Sequence, residues 1–247
     1  TTRSHNGQRD RDMIRFGTQE AHIKSIVRRQ NSHQTIDIHL KKGRKKGIAI
    51  NRVPVKRASD LLGILHIIFF SPQDLNMITD EPQLRRGFLD SQLCQLDRIY
   101  LSDLNRYNRV LKERSRLLKD LYDHQDLRDT LDVWDSQLID YGLKIYDIRK
   151  KFLDEISSKI GDIYLKIFEN GSLSIKYKSD FNLDKNELIK KYKNNLKKDL
   201  FLGKTSFGIH RDDIDFILDD FLLKECGSEG QQKNALIAFK LSEIEIV

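Results

Sequence analysis

From Leu93 onward the apolar residues fall at Leu93, Leu96, Tyr100, Leu104, Tyr107, Leu111, Leu118 and Leu121, in steps of three and four broken only around Arg114. Such steps return to one side of an α-helix, whose turn takes about 3.6 residues. A second series, Leu131, Trp134, Leu138, Tyr141, Ile145, Ile148 and Phe152, keeps the rhythm and continues less strictly through Ile156, Ile160, Ile163 and Ile167. Two long amphipathic helices are predicted. The polar stretch Asp123 to Asp129 is short enough to make them antiparallel neighbours, a helical arm.

Elsewhere the period shortens. Thr35 to Leu40 alternates, Gly47 to Ile50 resumes an apolar rhythm, and Lys41 to Lys46 lies between them, which predicts a hairpin with a basic tip. Ser59 to Gly63 reads as a short helix, and Leu65 to Phe70 as a buried strand closed by Ser71-Pro72. After Asn170-Gly171, Leu173 to Tyr177 alternates like a strand, and Lys185 to Lys198 reads as a helix. Ile214 to Leu218 is strand-like, and Gln231 to Val247 reads as a final helix that offers Ala235, Leu236, Phe239, Leu241 and Ile244 for burial.

Charge adds a direction to this outline. With 44 Lys plus Arg against 37 Asp plus Glu, the formal charge is +7, which favours nucleic acid or an acidic membrane surface as partner. Cys94 and Cys226 are too few and too far apart for a disulfide scaffold or a metal site, so a reducing compartment, the cytoplasm, is expected. The longest apolar run, Leu61 to Phe70, is interrupted by Gly63 and His66 and is about half the length that spans a bilayer, so no membrane partner is expected. Thr1 to Arg15 is polar and basic, unlike a secretory signal, and the missing initiator Met suggests a start inside a longer protein.

Two short motifs invite a phosphate. Gly203-Lys204-Thr205 looks like the end of a P-loop, but the required earlier glycine would fall at Lys198 and no glycine-rich turn precedes it. Ser228-Glu229-Gly230-Gln231-Gln232 resembles the ABC-type signature, Ser-x-Gly-Gln opening a helix. There a hydroxyl, bare N–H groups and a positive dipole end suit a phosphate. The same residues also spell a capping box that satisfies the helix itself. For nucleic acid the candidates are the hairpin tip, Lys41, Lys42, Arg44, Lys45 and Lys46, and the Lys185 to Lys198 helix with Lys190, Lys191 and Lys193. Each also reads, and more readily, as a solvated basic face.

A longer pattern connects these fragments. Phe70-Ser71-Pro72-Gln73-Asp74-Leu75 is followed by Arg85-Arg86-Gly87-Phe88-Leu89-Asp90, Tyr100-Leu101-x-x-Leu104, Leu111-Lys112-x-Arg114, Trp134-Asp135-x-Gln137-Leu138 and Tyr141-Gly142. Then come Gly208-Ile209-His210-Arg211-Asp212-Asp213 and Ser228-x-Gly230-Gln231-Gln232. In this order the segments resemble the RecF family of recombination proteins over essentially the whole chain, and Thr1-Thr2-Arg3-Ser4-His5 looks like the family's segment after its first helix. Ile209 departs from the family's usual Pro, which loosens the turn there.

The resemblance implies an α/β fold: an ABC/SMC-like ATPase head, a mixed sheet with flanking helices, interrupted by an inserted antiparallel helical arm. Residues 1–84 would be head, 85–202 the arm, and 203–247 the return to the head. It further implies a DNA repair and replication-restart protein of the SOS response. Such a protein dimerises around ATP and Mg, binds single-stranded or gapped DNA, and works with mediators of the RecO and RecR type. Ser228, Gly230 and Gln231 would then touch the γ-phosphate held by the other subunit of a homodimer. The P-loop and the Mg-binding strand would lie outside this chain, so the weak ATPase of the whole protein is not expected of it alone. Arg85, Arg86 and Asp90, and Arg211, Asp212 and Asp213, would form an ion-paired junction where the arm leaves and rejoins the head, and His210 a structural hydrogen bond. The alternatives are a non-enzymatic helical interaction module, against which motif order argues, and another SMC-like head protein, which would not be expected to share the Arg-Arg-x-Phe-Leu-Asp and His-Arg-Asp-Asp segments.

Overall fold

The structure is a computed structural model that describes residues 9–29, 32–121 and 130–246; the Thr1 to His5 segment and the polar link Asp123 to Asp129 lie outside the described residues. The chain divides into two compact units, Thr1–Ile67 and Ile68–Val247.

In the first unit the strands β1 (Glu20–Arg29), β2 (Ser32–Lys41), β3 (Gly47–Ile50) and β4 (Val53–Pro54) pair antiparallel in sequence order. The predicted hairpin is β2–β3, with His39 opposite Gly47. Its core is small: Ile36, Leu40 and Ile48 from the sheet and Ile14 before it are buried. β1 gives no such signal in the sequence, because Ile23 and Ile26 are 45% and 56% exposed and neither face of the strand is consistently covered. A 3-10 turn at Ala58–Leu61 takes the place of the short helix expected at Ser59 to Gly63. Leu65 to Phe70 is not a buried strand. It joins neither sheet, and Phe69 and Phe70 are 44% and 51% exposed. An apolar run has the length of a strand whether or not a ladder is there to receive it.

The second unit begins with a 3-10 turn, Pro72–Leu75, and α1 (Asn76–Thr79). The stripe that begins at Leu93 is divided between two helices, α2 (Pro82–Leu96) and α3 (Arg98–Asp120). Asp97 between them is extended, and its carboxylate accepts the N–H groups of Ile99 and Tyr100, so it ends one helix and caps the next. The second series is a single helix, α4 (Leu131–Phe168). Arg114 meets Asp135 while Tyr100 meets Arg149, so α3 and α4 run antiparallel. Tyr100, Tyr107 and Val110 of α3 share one core with Leu138, Ile145, Phe152 and Ile156 of α4. Each such buried side chain stabilises the fold by about 1.5–3 kcal/mol relative to its exposed state.

The chain continues through β5 (Leu173–Lys178), α5 (Lys185–Leu202), β6 (Asp213–Leu218), β7 (Phe221–Leu222), α6 (Leu223–Cys226) and α7 (Glu229–Ile244). The three strands form an antiparallel sheet in the order β5-β6-β7. Leu173, Ile175 and Tyr177 lie opposite Leu218, Phe216 and Ile214 on the face that enters the core, where Phe216 meets Phe239 of α7 edge to face at 5.4 Å. Ala235, Leu236 and Phe239 are buried as expected, whereas Ile244 at the helix end is 55% exposed.

Candidate functional site

Buried arginines fasten the second unit. Arg114, the residue that breaks the first stripe, is not on the outside: it is fully buried, with Nε 2.5 Å from Asp135 and Nη1 2.7 Å from Asp199. Its Nη1 also donates to the hydroxyl of Thr205 at 3.0 Å, and its guanidinium lies over the Tyr192 ring at 5.2 Å. Burial works against the charge, but Asp135 and Asp199 together outweigh it and hold the guanidinium above its ordinary value. The P-loop look-alike thereby acquires a structural role. Gly203 is the left-handed C-cap of α5 (φ 58°) and Thr205 an acceptor for Arg114, at a helix C-terminus, whose dipole repels phosphate.

Arg149, in the middle of α4, makes a second node. Nη2 reaches Asp90 at 2.7 Å, Nη1 reaches both Asp212 and the carbonyl of Ile209 at 2.9 Å, and Nε donates to the Tyr100 hydroxyl at 3.0 Å. Tyr100 in turn donates to Asp90, and Tyr177 donates to Asp212 at 2.5 Å. Burial, again the largest influence, is outweighed by the surrounding acidic groups, and Arg149 is held well above its ordinary value. Beside it Arg85 grips Asp213 with two nitrogens, at 2.6 and 3.1 Å, and Arg86 donates to the Asp212 carbonyl at 2.7 Å. Of the residues expected to ion-pair, Arg85 pairs with Asp213, Asp90 and Asp212 pair with Arg149, Arg86 reaches only a backbone carbonyl, and Arg211 stays exposed outside the network.

His210 is a structural histidine. Nδ1 lies 2.8 Å from the Tyr107 hydroxyl and Nε2 3.1 Å from the Thr205 carbonyl. Gly208 before it has φ 139°, and a Cβ there would strike both the Tyr107 hydroxyl and the His210 ring, so no other residue fits. Burial pushes His210 down to about 4 from 6.5. The fold therefore holds it neutral, and the unfolded chain binds the extra proton. Its stabilising contribution is full above pH 6.5 and is lost as pH falls towards about 4. Glu243, which burial pushes up to about 7, acts in the opposite sense, losing stability as pH rises from 4.5 towards 7. The expected result is a difference: urea midpoints of His210→Gln and wild type converge near pH 4 and separate towards pH 7. Parallel pH profiles would contradict the buried neutral imidazole.

At the start of α7 both halves of the capping box are present. Ser228 Oγ accepts the Gln231 N–H at 3.3 Å, and Gln231 Oε1 accepts the Ser228 N–H at 2.9 Å. Gln232 donates to the carbonyls of Leu223 and Gly227, tying the helix start to α6. Lys240, buried at 3.6 Å from Asp74 and 4.0 Å from the Phe88 ring centre, anchors the helix further along. Ser228, Glu229, Gly230 and Gln231 are all exposed. A Cβ on Gly230 would meet only Ser228 Oγ, at 3.9 Å, so no contact inside the unit demands glycine there. The first N–H groups of a helix, here those of Glu229 and Gly230, have no intrahelical acceptor and face whatever approaches.

The basic candidates are placed unequally. In the hairpin tip Lys41 pairs with Glu20 at 3.3 Å and Lys46 with Asp10 at 3.2 Å, while Lys42, Arg44 and Lys45 are exposed and make no ion pair among the described residues. On α5, Lys191 is taken up by Asp180 at 2.8 Å and by the Phe207 ring at 4.8 Å, whereas Lys190 and Lys193 are exposed and make no ion pair among the described residues. No cluster of three or more potential metal ligands occurs among the described residues, and no helix described is long and apolar enough to cross a membrane. The sequence reading missed Arg149 and Tyr177; for Arg149 a signal existed, since it stands four residues after Ile145 and three before Phe152 on a buried stripe.

No protein-family model matches the chain. The chain is 46% identical to the DNA replication and repair protein RecF of Agathobacter rectalis, over all of this chain and 68% of that one. It is 44% identical to the protein of the same name from Lachnospira eligens, with the same coverage. Among solved structures it matches that of the recombination mediator protein RecF-ATP in the RecFOR pathway with a TM-score of 0.88, at 28% identity, over 99% of this chain and 68% of that one.

Proposed function

Because the chain belongs to the RecF family of DNA replication and repair proteins, we propose that it serves an ATP-dependent DNA-binding protein that acts as a homodimer closed around nucleotide. The observation that carries this reading is the start of α7: an exposed, pre-capped helix N-terminus with a glycine that nothing internal requires. The donor set suits a terminal phosphate. Ser228 Oγ can turn its proton outward while still accepting from Gln231, the N–H groups of Glu229 and Gly230 point along the helix axis, and the missing side chain at Gly230 lets a phosphate approach. Ser228, Gly230 and Gln231 would meet the γ-phosphate of ATP bound by the partner subunit.

ATP with Mg would supply the phosphate charge that Ser228, Gly230 and Gln231 would hold. This chain's own part is to present donors at a fixed angle. The junction of Arg85, Arg149, Asp90, Asp212 and Asp213 supports it by locking α2, α4 and β6 together, so that a phosphate contact at α7 meets a rigid support. In this reading residues 1–84 and 203–247 are head, residues 85–202 the arm, and the protein acts in the cytoplasm during the SOS response with mediators of the RecO and RecR type. DNA would be met by Lys42, Arg44, Lys45, Lys190 and Lys193, with Lys41, Lys46 and Lys191 more tightly held by their own acidic partners.

The test is binding of fluorescent gapped DNA, read by anisotropy, to a polypeptide of the relatives' full length. Tight binding with ATP and weak binding without it is the expected result. Equal affinity in both conditions would overturn the ATP-dependent reading.

A further inference from the structure

Between the end of β5, the loop that follows it and the beginning of β6 lies a cleft of about 380 Å³, lined among others by Lys176, Lys178, Asn182, Arg211 and the carboxylates Asp180 and Asp212. At first sight its charges cancel. They do not, because both carboxylates are already engaged by cations that do not line the cleft, Arg149 and Lys191. Asp212 is buried beneath Arg149, at 2.9 Å, and the Tyr177 hydroxyl, at 2.5 Å. Asp180 is paired with Lys191 of α5 at 2.8 Å. Lys178 is paired with Asp215. The two cations left over are Lys176 and Arg211, both exposed and without an ion pair among the described residues.

A third positive group stands behind them, since Arg86 donates to the carbonyl of Asp212. Burial, and then the charges of Arg149 and Arg211, hold Arg86 below its ordinary value against the opposing pull of Asp213 and Asp212. The cleft's lining therefore keeps more positive than negative groups in a concave setting, and neutral Asn182 also lines it.

We infer that this cleft is a notch for a backbone phosphate of a nucleic acid, gripped by Lys176 and Arg211. The inference rests on the DNA-binding reading given above and names a contact that neither of the two basic stretches evident in the sequence includes. A strand is favoured over a free phosphate ion by what lies next to the cleft. The Lys191–Asp180 pair fixes α5 against its rim, and exposed Lys198, seven residues on and so on the same face of the helix, extends the positive charge about 10 Å further at 1.5 Å per residue. A single ion would use only the notch; a polyanion uses the notch and the charge of Lys198 beyond it.

The experiment compares wild type, Lys176→Gln/Arg211→Gln, and the charge-matched control Lys151→Gln/Lys166→Gln on exposed positions of α4, in a polypeptide of the relatives' full length with ATP present. Duplex DNA binding is measured by anisotropy across a salt series, and thermal unfolding verifies that all three proteins are equally folded. The cleft variant is expected to bind about 10-fold more weakly at about 0.1 M salt, with a log–log salt slope shallower by about 1 to 2, while the control keeps the wild-type slope. Wild-type slopes in both variants would overturn the notch and leave the DNA-binding reading intact. No DNA binding by wild type would overturn both. Phosphorus NMR with inorganic phosphate gives the last arm: broadening abolished by Lys176→Gln/Arg211→Gln, with DNA binding unchanged, would make this a free-phosphate site and overturn the strand assignment.

Discussion

Arg149→Ala is expected to destabilise the unit Ile68–Val247 by about 3–5 kcal/mol, the cost of leaving buried carboxylates without their cation. Arg149 is 1% exposed, and its partners Asp90 and Asp212 come from α2 and from the turn that enters β6, so its loss unlocks three elements at once. At about 2–4 °C per kcal/mol for a unit of this size, the melting midpoint should fall by roughly 6–20 °C. Arg149→Lys, which keeps the charge but not the fork that reaches Asp90, Asp212, Tyr100 and the Ile209 carbonyl, should fall between the two. A midpoint within about 1 °C of wild type for Arg149→Ala would mean that the network is ornamental to folding.

The same residue shows where the sequence was hard to read. Periodicity found α4 and most of α3 because their apolar residues recur with the helical turn, and it found β2–β3 and β5 through alternation. It treats a charged residue on a stripe as an interruption. Arg114 and Arg149 are instead buried residues of those stripes, and their compensating carboxylates lie far along the chain, at Asp135 and Asp199 and at Asp90 and Asp212. No local pattern announces a partner 85 residues away, as for Arg114 and Asp199. Leu65 to Phe70 fails for the complementary reason: its composition suits a strand, but a strand is defined by its neighbours, and neither sheet includes it.

The start of α7 was legible in a narrower sense. Ser228-x-x-Gln231 announces a capping box, and both of its hydrogen bonds form, so the hydroxyl is half explained by the helix itself. Gly230 is what capping does not explain. Within a helix glycine costs up to about 1 kcal/mol relative to alanine, less in the first turn where Gly230 stands, and a Cβ there would make only an ordinary contact with Ser228 Oγ. Gly230→Ala should therefore leave the isolated protein as stable as wild type or slightly more so, while weakening the ATP-bound dimer. That opposition of stability and assembly belongs to a residue kept for a ligand rather than for the fold.

Ser228→Arg carries the second large effect. It removes the cap, costing about 0.5–2 kcal/mol, and adds a cation at the positive end of the helix dipole, costing about 0.3–1 kcal/mol. Neither unfolds a core containing Ala235, Leu236 and Phe239. Its larger consequence is at the interface, where the long side chain would occupy the space over Gly230 and remove the Ser228 donor. Losing one or two hydrogen bonds to a charged phosphate, at about 1.5–3 kcal/mol each, weakens a dimer by roughly 10- to 10,000-fold. Sedimentation velocity on a polypeptide of the relatives' full length decides the matter. Wild type should pass from monomer to dimer when ATP is added, and Ser228→Arg should bind ATP yet remain monomeric; an ATP-dependent dimer of undiminished affinity in Ser228→Arg would contradict the role assigned to the start of α7.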